Sequence, residues 1–533
     1  IRGGHNTYQL VVDIKPVNSV FKKVDILVAL NQNTIKYNLV DMNKDGAFIY
    51  DSDKVKVSSA ILSNNNIQGI AIPLTTIAKE AGGELMRNVV ALGTTMYLVG
   101  QPLTIANKIV RETFSKKGKK IVDNNIKALK AGYDFVKANM EDEFMCKLPS
   151  LKAKDNILIT ANESLALGAV AGGLGFYAAY PMTPSSSILH YLAKIAAKTG
   201  LVVKHAEDEI SVANMALGAS HMGARSMVAT SGGGFALMTE TLGLVGLTET
   251  PLVMINVQRG GPATGLPTWT EQADLQFMLH AAQGDFPRIV MAPGDAGEAF
   301  EMGHQALNWA DMYQLPVLIL SDKLIGEGNT TVPRFNSKNV KINRGKILTQ
   351  AQLNKIKEYG RYKVTQDGIS PRALPGMKGG LFIANSDEHD AYGFSNEDSQ
   401  NRIDQVDKRY RKLDEFRKIM PKPLIYGNPK AKKTVVFWGS NKGVVLDSYV
   451  ALPDKIKSKI RIMQYQYLWP FDGEFTKQIL NSSKDILLIE NNPNGQLANL
   501  IAQETGIMIK NKLLKYDGRP FFREEIISAL KKF

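Results

Sequence analysis

Tyr180-Pro-Met-Thr-Pro-Ser-Ser186 joins an apolar run, Gly172-Gly-Leu-Gly-Phe-Tyr-Ala-Ala-Tyr180, to a helical pattern, Ile188-Leu-His-Tyr-Leu-Ala-Lys-Ile-Ala-Ala197. Each proline fixes its own φ and biases the residue before it towards extended backbone, so Met182 and Thr183 have little freedom. Ser185 or Ser186 can cap the helix that follows. A strand passing through a stiff, hydroxyl-bearing turn into a helix is where open α/β sheets bind ligands. Standing alone, the stretch reads equally as an ordinary proline-rich turn with a helix cap.

The flanks repeat the same grammar. Leu201-Val-Val-Lys-His205 reads as a strand and leads through Ala206-Glu-Asp-Glu209 into a small-residue helix from Ile210 to Met222. Arg225–Thr230 is a further strand, closing on Ser231-Gly-Gly-Gly234, where glycines permit close backbone approach to a ligand. Pro251–Val257, Arg288–Ala292 and Leu315–Leu320 continue the strands, with a helix over Ala296–Asp311. Strands alternating with helices, loops gathered at the strand ends, predict a doubly wound parallel sheet. Asn162–Val170 opens this domain as a helix of small residues.

Upstream, Gln9–Ile14 and Val24–Ala29 read as strands, Asp45-Gly46 and Asn64-Asn-Asn66 as turns, and Asn88–Val99 as a buried helix. Residues 105–151 read as a closing helix and a lysine-rich linker. From about 330 to 430 the pattern fades into an ordered interdomain arm. After Lys433 it returns, with strands at Thr434–Gly439, Arg461–Tyr465 and Asp485–Ile489. Gly439-Ser-Asn-Lys-Gly443 reads as a plain loop after a strand.

At 533 residues, the chain has room for three or four domains of ~150 residues. The segments are 1–150 and its linker, 151–335, 336–430 as the arm, and 431–533. Hydrophobic residues at 44% and charged residues at 22% are ordinary for a globular protein. There is no run of about 18 apolar residues and no signal peptide, so no membrane partner is expected. One cysteine, Cys146, excludes an internal disulfide, a cysteine zinc site and a cluster held by this chain's thiols. Cysteine poverty fits a reducing compartment and a cytoplasmic location. The net charge of +14 favours acidic partners. No aromatic-interleaved basic stripe or nucleic-acid motif accompanies it, so no nucleic acid is expected. Phosphate-loop, zinc-protease and serine-hydrolase signatures are absent as well.

Two side chains carry candidate chemistry. Glu209, between a strand and an alanine-rich helix, would be a partly desolvated carboxylate with a raised pKa, or simply the acid that caps that helix. Arg259 leaves a strand into Gly260-Gly-Pro262 and can clamp a carboxylate bidentately, or serve as a salt-bridging loop arginine.

Together these blocks resemble the 2-oxoacid:ferredoxin oxidoreductases, in particular the alpha subunit of the 2-oxoglutarate type behind a fused gamma-like domain. Tyr180–Ser186 is similar to the family's Tyr-Pro-Ile-Thr-Pro-Ser-Ser turn, with Met182 for isoleucine. Ser231-Gly-Gly-Gly-Phe235 resembles Ser-Gly-Pro-Gly-Phe, with Gly233 for proline. Gln258–Gly265 with Pro267–Leu275, Phe286–Gly294, and Asp367-Gly-Ile-Ser-Pro-Arg372 are further blocks, in the family's order. Arg2-Gly-Gly-His-Asn-Thr-Tyr8 looks like the interior of a gamma domain, whose glycine-rich strand–loop–helix is expected upstream and is not in this sequence.

The resemblance implies an α/β multidomain fold. A thiamine-diphosphate-binding doubly wound domain would be flanked by an N-terminal gamma-like domain and a C-terminal transketolase-C-like domain. It implies CoA-dependent oxidative decarboxylation of 2-oxoglutarate to succinyl-CoA and CO2 with reduction of ferredoxin, or the reverse carboxylation. Alternatives are a pyruvate or branched-chain 2-oxoacid enzyme, or a non-catalytic basic binding subunit. It implies catalytic roles for Glu209, Thr183 and Arg259. Tyr180, Pro181, Thr183, Glu209, Ser231 and Gly232 would contact cofactor; Thr183, Ser185, Arg259 and Thr264 would contact substrate. Thiamine diphosphate would be shared with a beta subunit that supplies Mg2+ and a 4Fe-4S cluster, and coenzyme A would be co-substrate. The partners implied are that beta subunit, in a heterotetramer of two alpha and two beta chains, and ferredoxin.

Overall fold

The apolar hexamer Val24–Ala29 becomes the first strand, β1, of a parallel three-stranded sheet whose other members are β2 (Met42–Asp51) and β3 (Gln68–Ile72), in the order β1-β2-β3. The computed structural model describes residues 6–58, 67–140, 147–149 and 155–533. They fall into two compact units, Ile1–Val11 with Val20–Lys154, and Val12–Ser19 with Asp155–Phe533.

In the first unit two expectations are corrected. Gln9–Ile14 forms no strand: it lacks a ladder partner among the described residues, and Leu10 and Ile14 are exposed. Asp45-Gly46 is not a turn between strands but a bulge inside β2, with Asp45 at φ 64° and the register to β1 jumping there. Asn64–Asn66, Cys146 and residues 1–5 lie outside the described residues. Helix Arg87–Leu98 packs backbone to backbone on helix Lys119–Asn139. A Cβ on Gly93 would sit 2.0 Å from the Leu129 carbonyl oxygen, and one on Gly132 would sit 2.1 Å from that of Val90. Lysine-rich 105–151 therefore contains this helix and most of helix Leu103–Phe114.

The second unit is built on a seven-stranded sheet. Its strands are β5 (Phe176–Ala179), β6 (Val202–His205), β7 (Ser226–Thr230), β8 (Leu252–Gln258), β9 (Ile289–Met291), β10 (Pro316–Asp322) and β15 (Tyr467–Trp469). Their order is β15-β9-β10-β8-β7-β5-β6, parallel except for β15 on β9. The chain goes outward from β5 to β6 and returns past β5 to β7, so the topology switches between β5 and β7. A short two-stranded sheet pairs β4 (Asn156–Ile159) with β11 (Thr330–Pro333). Helix Ala161–Ala171 starts with a reciprocal cap: Glu163 N–H donates to Thr160 Oγ1, and Thr160 N–H donates to Glu163 Oε2. Its small residues have a purpose: a Cβ on Gly168 would lie 2.0 Å from the Phe300 carbonyl oxygen of helix Ala296–Tyr313.

Residues 336–423 carry few regular elements apart from helix Ser399–Arg417, and buried charges fix them to the sheet domain. Lys408 and Lys412, both at most 1% exposed, pair with the equally buried Glu249. Arg361 Nη2 donates to the Glu249 carbonyl oxygen at 2.7 Å, and an Arg372 guanidinium nitrogen donates to the Ser220 carbonyl. Charges this deep are held by one another and by backbone carbonyls, although Arg361 Nη1 is left without a hydrogen-bond partner among the described residues. The C-terminal sheet runs β12-β14-β13-β16-β17, with β12 (Leu424–Gly427) antiparallel to β14 (Ile460–Tyr465) and the rest parallel: β13 (Lys433–Trp438), β16 (Asp485–Glu490) and β17 (Asn511–Leu514). Gly439–Gly443 is no plain loop. It enters helix Asn441–Val450, and Asn441 Nδ2 donates to Gln272 Oε1 at 2.8 Å, tying the two sheets together. No helix among the described residues is long and apolar enough to cross a membrane.

Candidate active site

The C-terminal ends of β5, β6, β7 and β8 converge at the topology switch, and each delivers one block of the sequence reading. From β5 comes the turn. Ser185 occupies the N-cap position of helix Ser186–Thr199 but makes no capping bond; its buried hydroxyl donates to the Met182 carbonyl at 2.7 Å. Ser185 thus shapes the turn rather than presenting its hydroxyl outward. Tyr180 and Pro181 are exposed and Thr183 is half-buried.

From β6 comes Glu209, first residue of helix Glu209–His221 and 2% exposed. It does not cap that helix. Asp208 does, accepting from Ser211 N–H at 3.0 Å. The Glu209 carboxylate turns inward to the Thr230 hydroxyl, 3.5 Å away. Burial pushes its pKa above the ordinary carboxylate range, and the charge of Asp208 adds to this while the Thr230 hydroxyl opposes it. Glu207, two residues earlier, is exposed.

From β7 comes Ser231, at the N-cap of helix Gly232–Leu237, its buried hydroxyl without any partner among the described residues. None of the three glycines after it has a positive φ; Gly232 and Gly234 are needed for proximity, while Gly233 faces open space. A Cβ on Gly234 would lie 2.5 Å from Glu209 Oε1 and 2.0 Å from Thr230 Oγ1, and one on Gly232 would lie 2.6 Å from Asp274 Oδ2. From β8 comes Arg259, half-buried, whose Nη1 donates to the Thr183 carbonyl at 2.6 Å. No carboxylate lies within ion-pair distance of it among the described residues, so it is not a salt-bridging loop arginine. Burial lowers its pKa and Asp274 opposes the shift. Thr264 is exposed in the Gly260–Leu266 loop that follows Arg259, closed by Leu266 N–H to the Gly260 carbonyl at 2.7 Å.

Residues 167–408 match the family described as pyruvate flavodoxin/ferredoxin oxidoreductase, thiamine diphosphate-binding, and residues 1–135 match pyruvate ferredoxin/flavodoxin oxidoreductase. The 2-oxoacid:ferredoxin oxidoreductase subunit alpha of a Sulfolobus species is 32% identical over 100% of this chain and 90% of that one. The chain belongs to the 2-oxoacid:ferredoxin oxidoreductase alpha-subunit family. Another relative, 2-oxoglutarate oxidoreductase subunit KorA of Mycobacterium tuberculosis, is 30% identical over 98% of this chain and 83% of its own. A solved 2-oxoglutarate:ferredoxin oxidoreductase from Magnetococcus marinus, with 2-oxoglutarate, coenzyme A and succinyl-CoA bound, superposes with a TM-score of 0.89 at 31% identity, covering 97% of this chain and 89% of that one.

For a member of this oxidoreductase family the site fits thiamine diphosphate on its own geometry. A buried carboxylate with a raised pKa, an unpartnered buried Ser231 hydroxyl and a glycine floor without Cβ atoms make a place for a flat, proton-sharing ring. Sequence reasoning missed the supports behind it. Asn256 Nδ2 donates to Asp274 Oδ2 at 2.9 Å, and Asp274 N–H donates to Gln258 Oε1 at 2.9 Å. The signal was present as polar residues in an otherwise apolar strand, Asn256 and Gln258.

Proposed function

We propose that this chain is the alpha subunit of a 2-oxoglutarate:ferredoxin oxidoreductase. With a beta subunit it converts 2-oxoglutarate and coenzyme A to succinyl-CoA and CO2 while ferredoxin is reduced, or runs the reverse carboxylation. The observation that carries this reading is the joint placement of Glu209, Thr183 and Arg259 at the switch point of a sheet whose whole chain follows the Magnetococcus enzyme.

Thiamine diphosphate, when bound, supplies the electron sink that decarboxylation of a 2-oxoacid requires. Glu209, whose pKa burial raises, would hold the aminopyrimidine edge through a shared proton. Ser231 and Gly232 line the ring's floor, and Tyr180 and Pro181 lie at the exposed end of the turn. Arg259, anchored on the Thr183 carbonyl and lacking an internal carboxylate, binds the substrate carboxylate through its remaining N–H groups. Thr183 and Thr264 contribute hydroxyls to that end, and Ser185 keeps the turn in shape. The beta subunit supplies Mg2+ and the 4Fe-4S cluster, in an assembly of two alpha and two beta chains that works in the cytoplasm. The +14 charge suits an acidic ferredoxin. Nucleic acid has no part in it.

The test is the complex with its beta subunit, assayed with a panel of 2-oxoacids and a low-potential acceptor. The expected result is CoA-dependent reduction with 2-oxoglutarate preferred. Preference for pyruvate or a branched-chain 2-oxoacid overturns the substrate, and a complex inert to all of them overturns the function.

A further inference from the structure

The overall conversion of a 2-oxoacid carboxylate and a thiol into a thioester and CO2 gives up two electrons and one proton. That proton comes from the thiol, which must lose it to become a nucleophile. Glu209 is 2% exposed and committed to the cofactor ring on the reading above, so it is poorly placed to exchange protons with solvent.

A second carboxylate stands at the same strand ends. Glu271 lies on the segment between the Gly260–Leu266 loop and Asp274, and it is half-buried. Its Oε2 occupies the space a Gly260 side chain would need: a Cβ there would be 2.8 Å away. The residues on either side are fixed. Thr270 N–H donates to the Gly518 carbonyl at 3.2 Å and Thr270 Oγ1 to Asp322 Oδ1 at 3.3 Å. Gln272 N–H donates to the Asn491 carbonyl at 2.8 Å, and its Nε2 to the Trp438 carbonyl at 3.0 Å. The backbone is therefore held from two directions while the Glu271 carboxylate has no hydrogen-bond or ion-pair partner among the described residues. The segment's outer edge is Trp269, with the Arg519 guanidinium 3.7 Å from its ring centre.

We propose that Glu271 accepts the proton that the thiol co-substrate must lose and passes it to solvent. The thiol S–H bond breaks, the proton moves to a Glu271 oxygen, and the sulfur keeps the electron pair with which it attacks the acyl carbon. In the carboxylating direction Glu271 returns the proton to the departing thiolate. The charged group set against it is Asp274 from the same segment; Arg259, at the end of β8, interacts with Asp274, and Arg519 of the C-terminal domain lies on the Trp269 ring. Burial first, then the charge of Asp274, pushes Glu271 up to about 7, between a free carboxylate and a thiol. This assignment rests on the proposed function.

The experiment compares the parent complex with Glu271→Gln and Glu271→Asp. It measures turnover with coenzyme A, single-turnover reduction by 2-oxoglutarate without coenzyme A, and the pH profile of each. Titration of 13C-labelled glutamate carboxyls by NMR gives a readout independent of activity. The ratio of the CoA-dependent to the CoA-independent rate should fall about 100-fold in Glu271→Gln. Its pH dependence near neutrality should disappear, together with a carboxyl signal titrating there, and Glu271→Asp should recover part of the rate. An unchanged ratio and pH profile in Glu271→Gln overturns the role of Glu271 alone, as does an equal loss in both steps. A parent complex that oxidises no 2-oxoacid overturns the proposed function and this assignment with it.

Discussion

At the scale of single residues, the decisive distinction is between Glu209 and its neighbours. Asp208 takes the helix cap and Glu207 points to solvent, which leaves Glu209 as the one acid of the three turned into the site. Glu209→Gln should keep the fold and cut turnover of the assembled complex by ~10²–10⁴-fold, while Glu207→Gln stays near the parent. Stability gives a second readout. A carboxyl whose folded pKa is raised favours the folded state while protonated and costs stability as pH climbs above its unfolded value of about 4.3. The glutamine variant lacks that cost. Its melting temperature relative to the parent should therefore rise as pH climbs above that unfolded value; a difference constant with pH would show the carboxylate to be as well solvated as in the unfolded chain. Arg259→Lys keeps the charge and loses the planar fork. Losing one charge-assisted hydrogen bond is worth about 1.5–3 kcal/mol, so kcat/KM for the 2-oxoacid should drop roughly tenfold or more. Unchanged kinetics would remove Arg259 from the substrate site. Both residues were visible in the sequence because each sits where a strand pattern breaks. Asp274 and Glu271 were not, since their loop has no periodicity and their importance comes from close approach to Gly232 and Gly260, which local pattern does not reveal.

At the scale of elements, strands were legible wherever burial was two-sided, as in β8 and β10, because such strands read as continuous apolar runs. Gln9–Ile14 has a similarly apolar composition but no partner strand among the described residues, so composition misled. The arm was opaque for the opposite reason: its order comes from buried charges that in a sequence look like a solvated face. Helix Ser399–Arg417 buries Gln405, Lys408, Arg409 and Lys412. Burial raises the pKa of Glu249, but Lys408, Lys412 and Arg361 outweigh it and hold the carboxyl well below the usual range. Burial lowers Lys408 to about 7 and Lys412 to about 8 against the pull of Glu249. Glu249→Gln would leave buried lysines without their carboxylate. The expected loss is about 3–5 kcal/mol at neutral pH, read by chemical denaturation. The loss should shrink at alkaline pH, where the lysines shed their protons; an equal loss at all pH values would mean packing rather than charge. Gly168 poses a simpler case. Gly168→Val would drive its side chain into the Phe300 carbonyl and should cost at least the 1–3 kcal/mol typical of overpacking.

At the scale of the whole molecule, the sequence pattern divides residues 151–533 into a sheet domain, an arm and a C-terminal domain, whereas the packing joins them. Strand β15, from the C-terminal half, completes the edge of the seven-stranded sheet by pairing with β9, itself only three residues long. One continuous core contains Val228, Met254 and Leu318 of the central sheet together with Trp438, Met463 and Leu468. Phe416 of the arm packs edge-on against Trp309 and Tyr313, with ring centres at 5.2 and 5.4 Å. Even the segment Val12–Ser19 belongs here: Asn18 and Ser19 donate to the Asp447 carboxylate at 2.9 and 2.7 Å. Such long-range closures leave no local signal, because each strand looks the same whichever sheet it joins. They have a measurable consequence. A fragment of residues 155–335 would expose the edge of β9, strip the apolar core that Trp438 and Leu468 cover, and bury Glu249 without its lysines. It should be insoluble or molten, with exposed apolar surface that binds dye and no near-ultraviolet dichroism. A fragment of residues 155–533 retains those contacts and should unfold cooperatively. If 155–335 instead folds as a monomer with a cooperative transition, the sheet domain is self-sufficient and β15 is only an addition to its edge. The prediction follows from a site built at strand ends: Gln272 and Asp322, which fix the Glu271 segment, are themselves held by Trp438, Asn441 and Ser440 of the C-terminal domain. The same contacts that close the fold therefore hold the segment on which Asp274 stands between the influence of Glu271 and that of Arg259.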